Sequence, residues 1–233
     1  MKISRFERAK QWWAQRNSPS YIKYIRSKGV EIGDHCRIVN PRSFGIDLQR
    51  AHLITIGNYV TFNQYNSLIC HDGVAQLFRQ KFHDYLPSNG HITIGNNVQF
   101  GQYVTVLKGV TIGDNCFIGF GATVIRDIPS NSIAVGTPAK VICTIDEYYE
   151  RRKTEALQES FEYARGIVNR YHRRPVPEDF TESFVWFVDG KDIDKYPKIP
   201  IKYQLGAAYD NYKANHVAKF ASFDEFLAAA GIE

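Results

Sequence analysis

Cysteine is scarce and unpaired in this chain. Cys36, Cys70, Cys116 and Cys143 are its four, and no two stand at the short spacing of a redox or metal motif. A disulfide framework is therefore not expected, and free thiols in a reducing cytoplasm are. No apolar run approaches the length of a membrane span, and the opening "MKISRFERAKQWWAQRN" holds no signal-peptide core, which points to the same compartment. Nucleic-acid recognition motifs are missing, so no nucleic-acid partner is expected. The seven histidines, His35, His52, His71, His83, His91, His172 and His216, place no pair at the close spacing of ligands on one coil, so no metal is expected. The middle of the chain also lacks both the helical period and simple strand alternation.

What stands there instead is a beat of six. In "IGNNVQFGQYVTVLKGVTIGDNCFIGFGATVIRDIP", Ile94, Phe100, Val106, Ile112, Ile118 and Val124 recur at every sixth position. A second, mostly smaller set, Val98, Val104, Val110, Cys116, Ala122 and Ile128, runs four places behind. A fixed short period marks a solenoid, and hexapeptide units mark a parallel β-helix, three units closing one triangular coil. Coils then stack at the strand-pairing distance of about 4.8 Å. Gly57, Gly95, Gly101, Gly113 and Gly119 follow the first apolar position, and Asn or Asp commonly comes next, as turns require. An ordinary sandwich would need irregularly spaced hairpins and would lose the phase.

The pattern opens at Ile32, Cys36 and Ile38 and blurs through "NPRSFGIDLQRAHL", where Phe44 and Leu48 are read as keeping register. It sharpens again at Ile56, Val60, Phe62 and Leu68. Roughly four to five coils are expected. Six does not divide the distance from Ile56 to Ile94, so residues 73–91 are read as an inserted, structureless loop, of the kind that is commonly functional. Its Phe78, Arg79, Lys81, Phe82, His83 and Tyr85 interleave aromatic faces with cations and suit a saccharide acceptor; Phe78, Arg79 and Tyr85 are the candidate substrate contacts. The other reading of the loop is a cover over the apolar prism.

Three segments follow: a basic helical arm at residues 1–30, the β-helix at 31–145, and a mostly helical appendage at 146–233. The arm holds eight lysines and arginines against Glu7, so the remainder of a chain of net charge +5 is slightly acidic. With Trp12 and Trp13 the arm has two readings. It is a solvated helix whose tryptophans dock on the body, or a peripheral contact for an anionic membrane surface or phosphorylated ligand.

The run "IGNNVQFGQYVTVLKGVTIGDNCFIGFGATVIRDIPSNSIAVGTPAKVI" resembles the hexapeptide-repeat acyltransferases, a family that includes maltose/galactoside, xenobiotic and capsule or O-antigen acetyltransferases. The resemblance covers about residues 30–145 and rests on repeat phase, the "GTPAK" ending and a histidine just before the insertion. It implies a left-handed β-helix, acetyl-CoA as co-substrate and a homotrimer with sites between subunits. It also implies that His71, in "ICHDGV", is the general base on an acceptor hydroxyl, a task that suits an imidazole near neutral pH. Asp72 either orients that ring or caps a turn. For the cofactor, the resemblance points to Arg126 and Lys140 at the phosphates and to Gly119, Gly121 and Ala122 along the pantetheine arm. Gln99, Gly101 and Gln102 are counted with the same channel. Two solvated charges and a tight coil corner are the alternative readings of these residues. The chain departs from the family where Gln99 replaces a usual tryptophan, and at Ile125 and Cys143.

The expected function is acetyl-CoA-dependent O-acetylation of a cell-surface saccharide, lipid-linked or polymeric, in the cytoplasm. The alternatives are N-acetylation of an amino-sugar nucleotide and a non-catalytic scaffold.

Overall fold

The computed structural model describes residues 4–233; Lys2, counted above with the basic arm, lies outside them. Helix α1 (Arg5–Ala14) starts where Ser4 Oγ accepts the Glu7 N–H at 3.1 Å. Helix α2 (Ser18–Ser27) starts where Asn17 Oδ1 accepts the Ser20 N–H at 2.9 Å. Each cap satisfies an amide that the first helical turn leaves without a partner. Tyr21, Ile22, Tyr24 and Ile25 bury one face of α2 in the same core as the coils. The tryptophans dock only in part: Trp12 is 58% and Trp13 63% exposed, and the Arg42 guanidinium stands over the Trp12 ring at 5.2 Å.

From Glu31 the chain visits three sheets in rotation. The first contains Glu31–Ile32, Ile54–Ile56, Ile92–Ile94 and Val110–Ile112, all parallel. In the second, Arg37–Ile38, Thr61–Phe62, Gln99–Phe100, Phe117–Ile118 and Ser132–Val135 lie parallel. The third contains Gly45–Ile46, Ser67–Ile69, Thr105–Leu107 and Thr123–Val124, again parallel. This rotation through parallel sheets fits a β-helix. Register places the six-residue set in columns: Ile32, Ile56, Ile94 and Ile112; Ile38, Phe62, Phe100 and Ile118; Ile46, Leu68, Val106 and Val124. Phe62 and Phe100, both fully buried, stack with centroids 4.7 Å apart.

The Asn and Asp residues that follow the glycines have a specific task. Asn58, Asn96, Asp114 and Ser130 form a column in which each side-chain oxygen accepts the backbone N–H of the coil before it, at 2.6–3.0 Å. A corner without strand pairing thereby keeps its amides satisfied. The glycines beside them leave no room for a side chain: a Cβ on Gly57 would meet the Gly95 carbonyl carbon at 2.7 Å.

In the first coil the phase survives for a reason different from the one expected. Ile46, not Phe44, carries the third column, pairing with Leu68, while Phe44 falls two places earlier and Leu48 lies in a short 3-10 stretch (Leu48–Leu53). Eight residues separate Ile38 from Ile46 where six separate Phe62 from Leu68. The extra residues there and in the 3-10 stretch together equal one unit, so Ile32 still pairs with Ile56. The insertion is not structureless either. It holds helix α3 (Ala75–Phe82), on which Phe78 and Phe82 lie 6.1 Å apart.

After the last coil, Ser132–Val135 pairs antiparallel with Lys140–Thr144, closing the second sheet with a hairpin. All four cysteines are free. The chain divides into two compact units, the first running to Tyr149 and the second from Glu150 to Glu233. Helix α4 (Ile145–Tyr171) spans that boundary. The second unit adds α5 (Ile201–Leu205), α6 (Tyr209–Asn215) and α7 (Phe223–Ala229) around an aromatic core that includes Phe180, Phe184, Phe187 and Phe226.

A column of this kind tolerates little loss of volume. Ile118, fully buried in the second sheet, should cost about 0.5–1.5 kcal/mol when shortened to valine, measured as a shift in the urea unfolding midpoint at unchanged slope.

Candidate active site

His71 follows the strand Ser67–Ile69 where the third sheet turns toward the first. Its Nδ1 lies 2.6 Å from Asp47 Oδ2, and Asp47 keeps only 7% of its side chain exposed. Asp47 in turn accepts from Arg50 Nη1 at 3.2 Å, and Arg50 Nε donates to Asn89 Oδ1 at the end of the insertion. A carboxylate on Nδ1 selects the tautomer with its proton there, which leaves Nε2 as the basic nitrogen. Among the described residues nothing engages Nε2, and the ring is 41% exposed.

The imidazole borders a groove of about 580 Å³ over the first two strands of the third sheet. Gly45, Asp47, Gln49, Ser67, Ile69 and, from α1, Gln11 contribute to its walls. A polar amide, a hydroxyl and a serine-flanked strand face give the groove partners for a polyol, beside a base able to take its proton. Cys70, next to His71, is not a competing nucleophile: burial, reinforced by the nearby Asp47 charge, pushes its thiol up to about 11.

Asp72 does not orient the ring; Asp47 does. The Asp72 carboxylate is bound by Lys108 Nζ at 2.8 Å, by Ser88 Oγ at 2.6 Å and by the Val74 N–H at 3.2 Å. Lys108 also donates to Ser88. The backbone adds Gly90 N–H to Cys70 O at 3.0 Å, so both feet of the insertion are clipped together beside His71. Hydrogen bonds from Lys108 and Ser88 hold the Asp72 carboxyl down to about 2 from an ordinary 3.8. Because its native value is depressed, the clip is fully present above the ordinary carboxylate range and is lost only as pH falls toward 2. Lys108→Met should therefore raise the rate at which a protease nicks residues 73–90 at pH 7 and leave the melting temperature unchanged, with acyl transfer reduced less than about tenfold.

The other candidate residues fall into separate groups. Arg126 follows the fourth strand of the third sheet, at the edge that also carries Lys108 and His71, and is exposed. Gly101, Gln102, Gly119, Gly121 and Ala122 gather at the opposite edge of that sheet, where Gly121 N–H donates to Gln102 O at 2.9 Å. Two of the glycines are required by packing: a Cβ on Gly101 would meet Phe120 N, and one on Gly119 would meet Val135 Cγ1, each at 2.7 Å. Gly121 differs, with φ +69° and open space beside it, and so leaves backbone accessible to a ligand. Ala122 is buried. Lys140 opens the antiparallel strand, exposed. Gln99 faces outward from the second sheet, away from the His71 groove, in a hollow with Phe117, Ile133, Ile145 and Tyr148. On the insertion, Arg79 lies over the ring of Tyr85 at 5.7 Å, both exposed, while Phe78 is half-buried. Among the described residues no three His, Cys, Asp or Glu side chains cluster to hold a metal ion.

Stacked six-residue units give the fold class, and an exposed imidazole backed by a buried carboxylate beside a groove gives it a candidate general base. The family model described as "Bacterial transferase hexapeptide (six repeats)" matches residues 91–126. Protein CapG of Staphylococcus aureus is 42% identical over 127 residues, covering 53% of this chain and 71% of that protein. Galactoside O-acetyltransferase of Escherichia coli (strain K12) is 36% identical over 148 residues, covering 59% of this chain and 66% of that protein. Among solved structures, a hexapeptide-repeat acetyltransferase of Vibrio cholerae aligns with TM-score 0.47 at 19% identity, covering 59% of this chain and 87% of that one. The chain belongs to the hexapeptide-repeat acyltransferase family.

Proposed function

We propose that this chain transfers the acetyl group of acetyl-CoA to a hydroxyl of a cell-surface saccharide, with His71 as general base. The observation that supports the reading is the 2.6 Å contact of His71 Nδ1 with buried Asp47, which leaves Nε2 as the nitrogen able to act as base on a ring that lines the groove. His71 takes the proton of the acceptor hydroxyl as its oxygen attacks the thioester carbonyl. The C–O bond forms, the C–S bond breaks, and the imidazolium returns the proton to the departing thiolate. General-base help supplies about a hundred- to ten-thousandfold, so positioning of both substrates must supply most of the remainder.

The acceptor lies over the first coils, beside Gln11, Gln49 and Ser67. The donor is assigned to the later coils, with Arg126 and Lys140 as contacts for its phosphates and the open backbone of Gly121 as a contact for its pantetheine arm; because Gly121 lies at the edge opposite His71, the thiol meets an imidazole across a subunit boundary. Similarity to a galactoside O-acetyltransferase supports a hydroxyl acceptor. The coil is left-handed, as the family resemblance implies, and the enzyme is cytoplasmic. Among the described residues no helix is long and apolar enough to cross a membrane.

The working form is a homotrimer. Its support is a stripe of exposed aromatics up one coil edge, in which Tyr65 stacks on Tyr103 at 4.6 Å and Tyr103 meets Phe120 at 5.5 Å. A ladder of this kind is apolar area available for burial between subunits. Tyr103→Glu should shift the mass measured by light scattering from trimer to monomer. An unchanged trimer would place the interface elsewhere.

The function is tested by following thiol release from acetyl-CoA with hexopyranosides and, separately, with a 4-amino sugar nucleotide. Release with the hydroxyl acceptors and none with the amine is expected; the reverse would assign N-acylation.

A further inference from the structure

Helix α1 has two working faces. Glu7, Gln11 and Ala14 face the body: Glu7 pairs with Lys28, the residue after α2, at 2.5 Å, Ala14 is buried, and Gln11 lines the His71 groove. Phe6, Lys10 and Trp13 recur at the i, i+4, i+7 spacing of the other face and point into solvent. Phe6 is 76% and Trp13 63% exposed, whereas Trp12 lies on a different side of the helix with Arg42 over its ring at 5.2 Å. Large aromatics left bare on a helix that already packs a second face need a partner.

Charge identifies that partner. Among the described residues, Arg5, Arg8, Lys10, Arg16 and Lys23 pair with no carboxylate, and Glu7, the sole acid of the arm, is occupied by Lys28. Lys10, Arg16 and Lys23 surround a hollow of about 310 Å³ floored by Trp13, Ala14 and Tyr24, a cationic niche with an apolar base. Arg16 stands over the Trp13 ring at 5.2 Å. A second copy of the same face would set cation against cation, which disfavours self-association here. An anionic bilayer meets every feature at once. Aromatic rings seat at the headgroup level, lysine and arginine stems reach along them to lipid phosphates, and the niche takes one phosphate head.

We propose that α1 and α2 form an interfacial anchor that docks the enzyme on an anionic lipid surface. Because α1 also supplies Gln11 to the groove, docking sets the His71 site against the bilayer. That makes a lipid-anchored saccharide the acceptor that the arm favours. This last step rests on the proposed acetyl transfer; the docking does not.

The test uses the full chain in co-sedimentation with vesicles of phosphatidylcholine, alone or with about 30 mol% phosphatidylglycerol, at low and high salt. Binding to the anionic vesicles only, weakened by salt, is expected. Phe6→Ala with Trp13→Ala should weaken it at least tenfold, and each of Lys10→Ala, Arg16→Ala and Lys23→Ala about fivefold. The double variant should acetylate a soluble acceptor at the parental rate, since neither residue lines the groove. His71→Ala should bind vesicles as the parent does, so loss of catalysis and loss of docking are read separately. No binding at low salt would overturn the proposal. So would binding that ignores the aromatic substitutions and responds to charge alone, the behaviour of a site for a flexible polyanion such as nucleic acid. A change of oligomeric state in the Phe6/Trp13 variant would overturn it as well, by assigning the face to another subunit.

Discussion

His71→Ala is expected to fold and assemble as the parent does and to lose between two and four orders of magnitude in acetyl transfer. The size follows from what a positioned base contributes to proton removal from a hydroxyl, equivalent to about 3–5 kcal/mol of barrier. The fold should not notice the change. The ring is 41% exposed, it lies after the last paired residue of its strand, and its one polar partner among the described residues is Asp47. Melting temperature should stay within a few degrees, because no buried apolar area is removed. Retained activity at the parental level would move the base elsewhere, and loss of fold would make the substitution uninformative about chemistry. His71→Gln, which keeps a polar side chain of similar reach without a titratable ring, distinguishes these outcomes.

Asp47→Asn is expected to lower kcat by about a hundredfold with a much smaller change in KM, the pattern of a group that acts chiefly through the base. The amide keeps the carboxylate's shape. Its NH2 can donate to Nδ1, however, which favours the tautomer with its proton on Nε2 and so removes the basic lone pair from the groove. Arg50 also loses its carboxylate partner, and through Asn89 it connects this pair to the end of the insertion. Asp47→Glu should restore part of the lost activity if the acidic group itself is what matters. Asp72→Asn belongs in the same experiment as a contrast, with an expected loss below about tenfold, because that carboxylate clips the insertion and does not touch the ring. Equal losses for the two asparagine variants would contradict the assignment of Asp47 as the positioning residue.

The contrast between these aspartates also separates what the sequence reveals from what it hides. His71 was legible because it stands where the six-residue phase breaks, next to an apolar column whose members Leu68 and Val106 pair in register. Asp72 was an attractive partner only because it is adjacent in the chain, and adjacent residues at a coil edge diverge. Asp47 hides between a two-residue strand and a 3-10 stretch, where the chain has no recognisable beat. No count along the chain reveals it: the register that pairs Ile46 with Leu68 sets Asp47 beside the end of that strand and not opposite His71, so only the folded turn brings the two side chains together. Lys108 was hidden similarly, since it reads as a surface charge in the sharpest part of the repeat until Asp72 is placed beside it.

Other parts of the fold were legible to different degrees for equally local reasons. The columns of Ile94, Phe100 and Val106 follow from a strict period, and the register confirms them. The antiparallel hairpin at Ser132–Val135 and Lys140–Thr144 has no period and was not anticipated. Helix α3 was masked by the polar and glycine-containing residues on either side of its eight positions. The exposure of Trp12 and Trp13 could not be read from composition, because a helix hides or shows a tryptophan according to which face its neighbours cover.

The central claim is that the thioester is attacked beside one imidazole held by Asp47. A crystal structure of the assembled enzyme with CoA tests it most directly. The CoA sulfur should lie within about 4 Å of His71 Nε2, close enough for proton exchange, with Asp47 still on Nδ1. A thiol lodged instead against the outer face of the second sheet, in the hollow of Gln99 and Phe117, with the His71 groove empty, would contradict it.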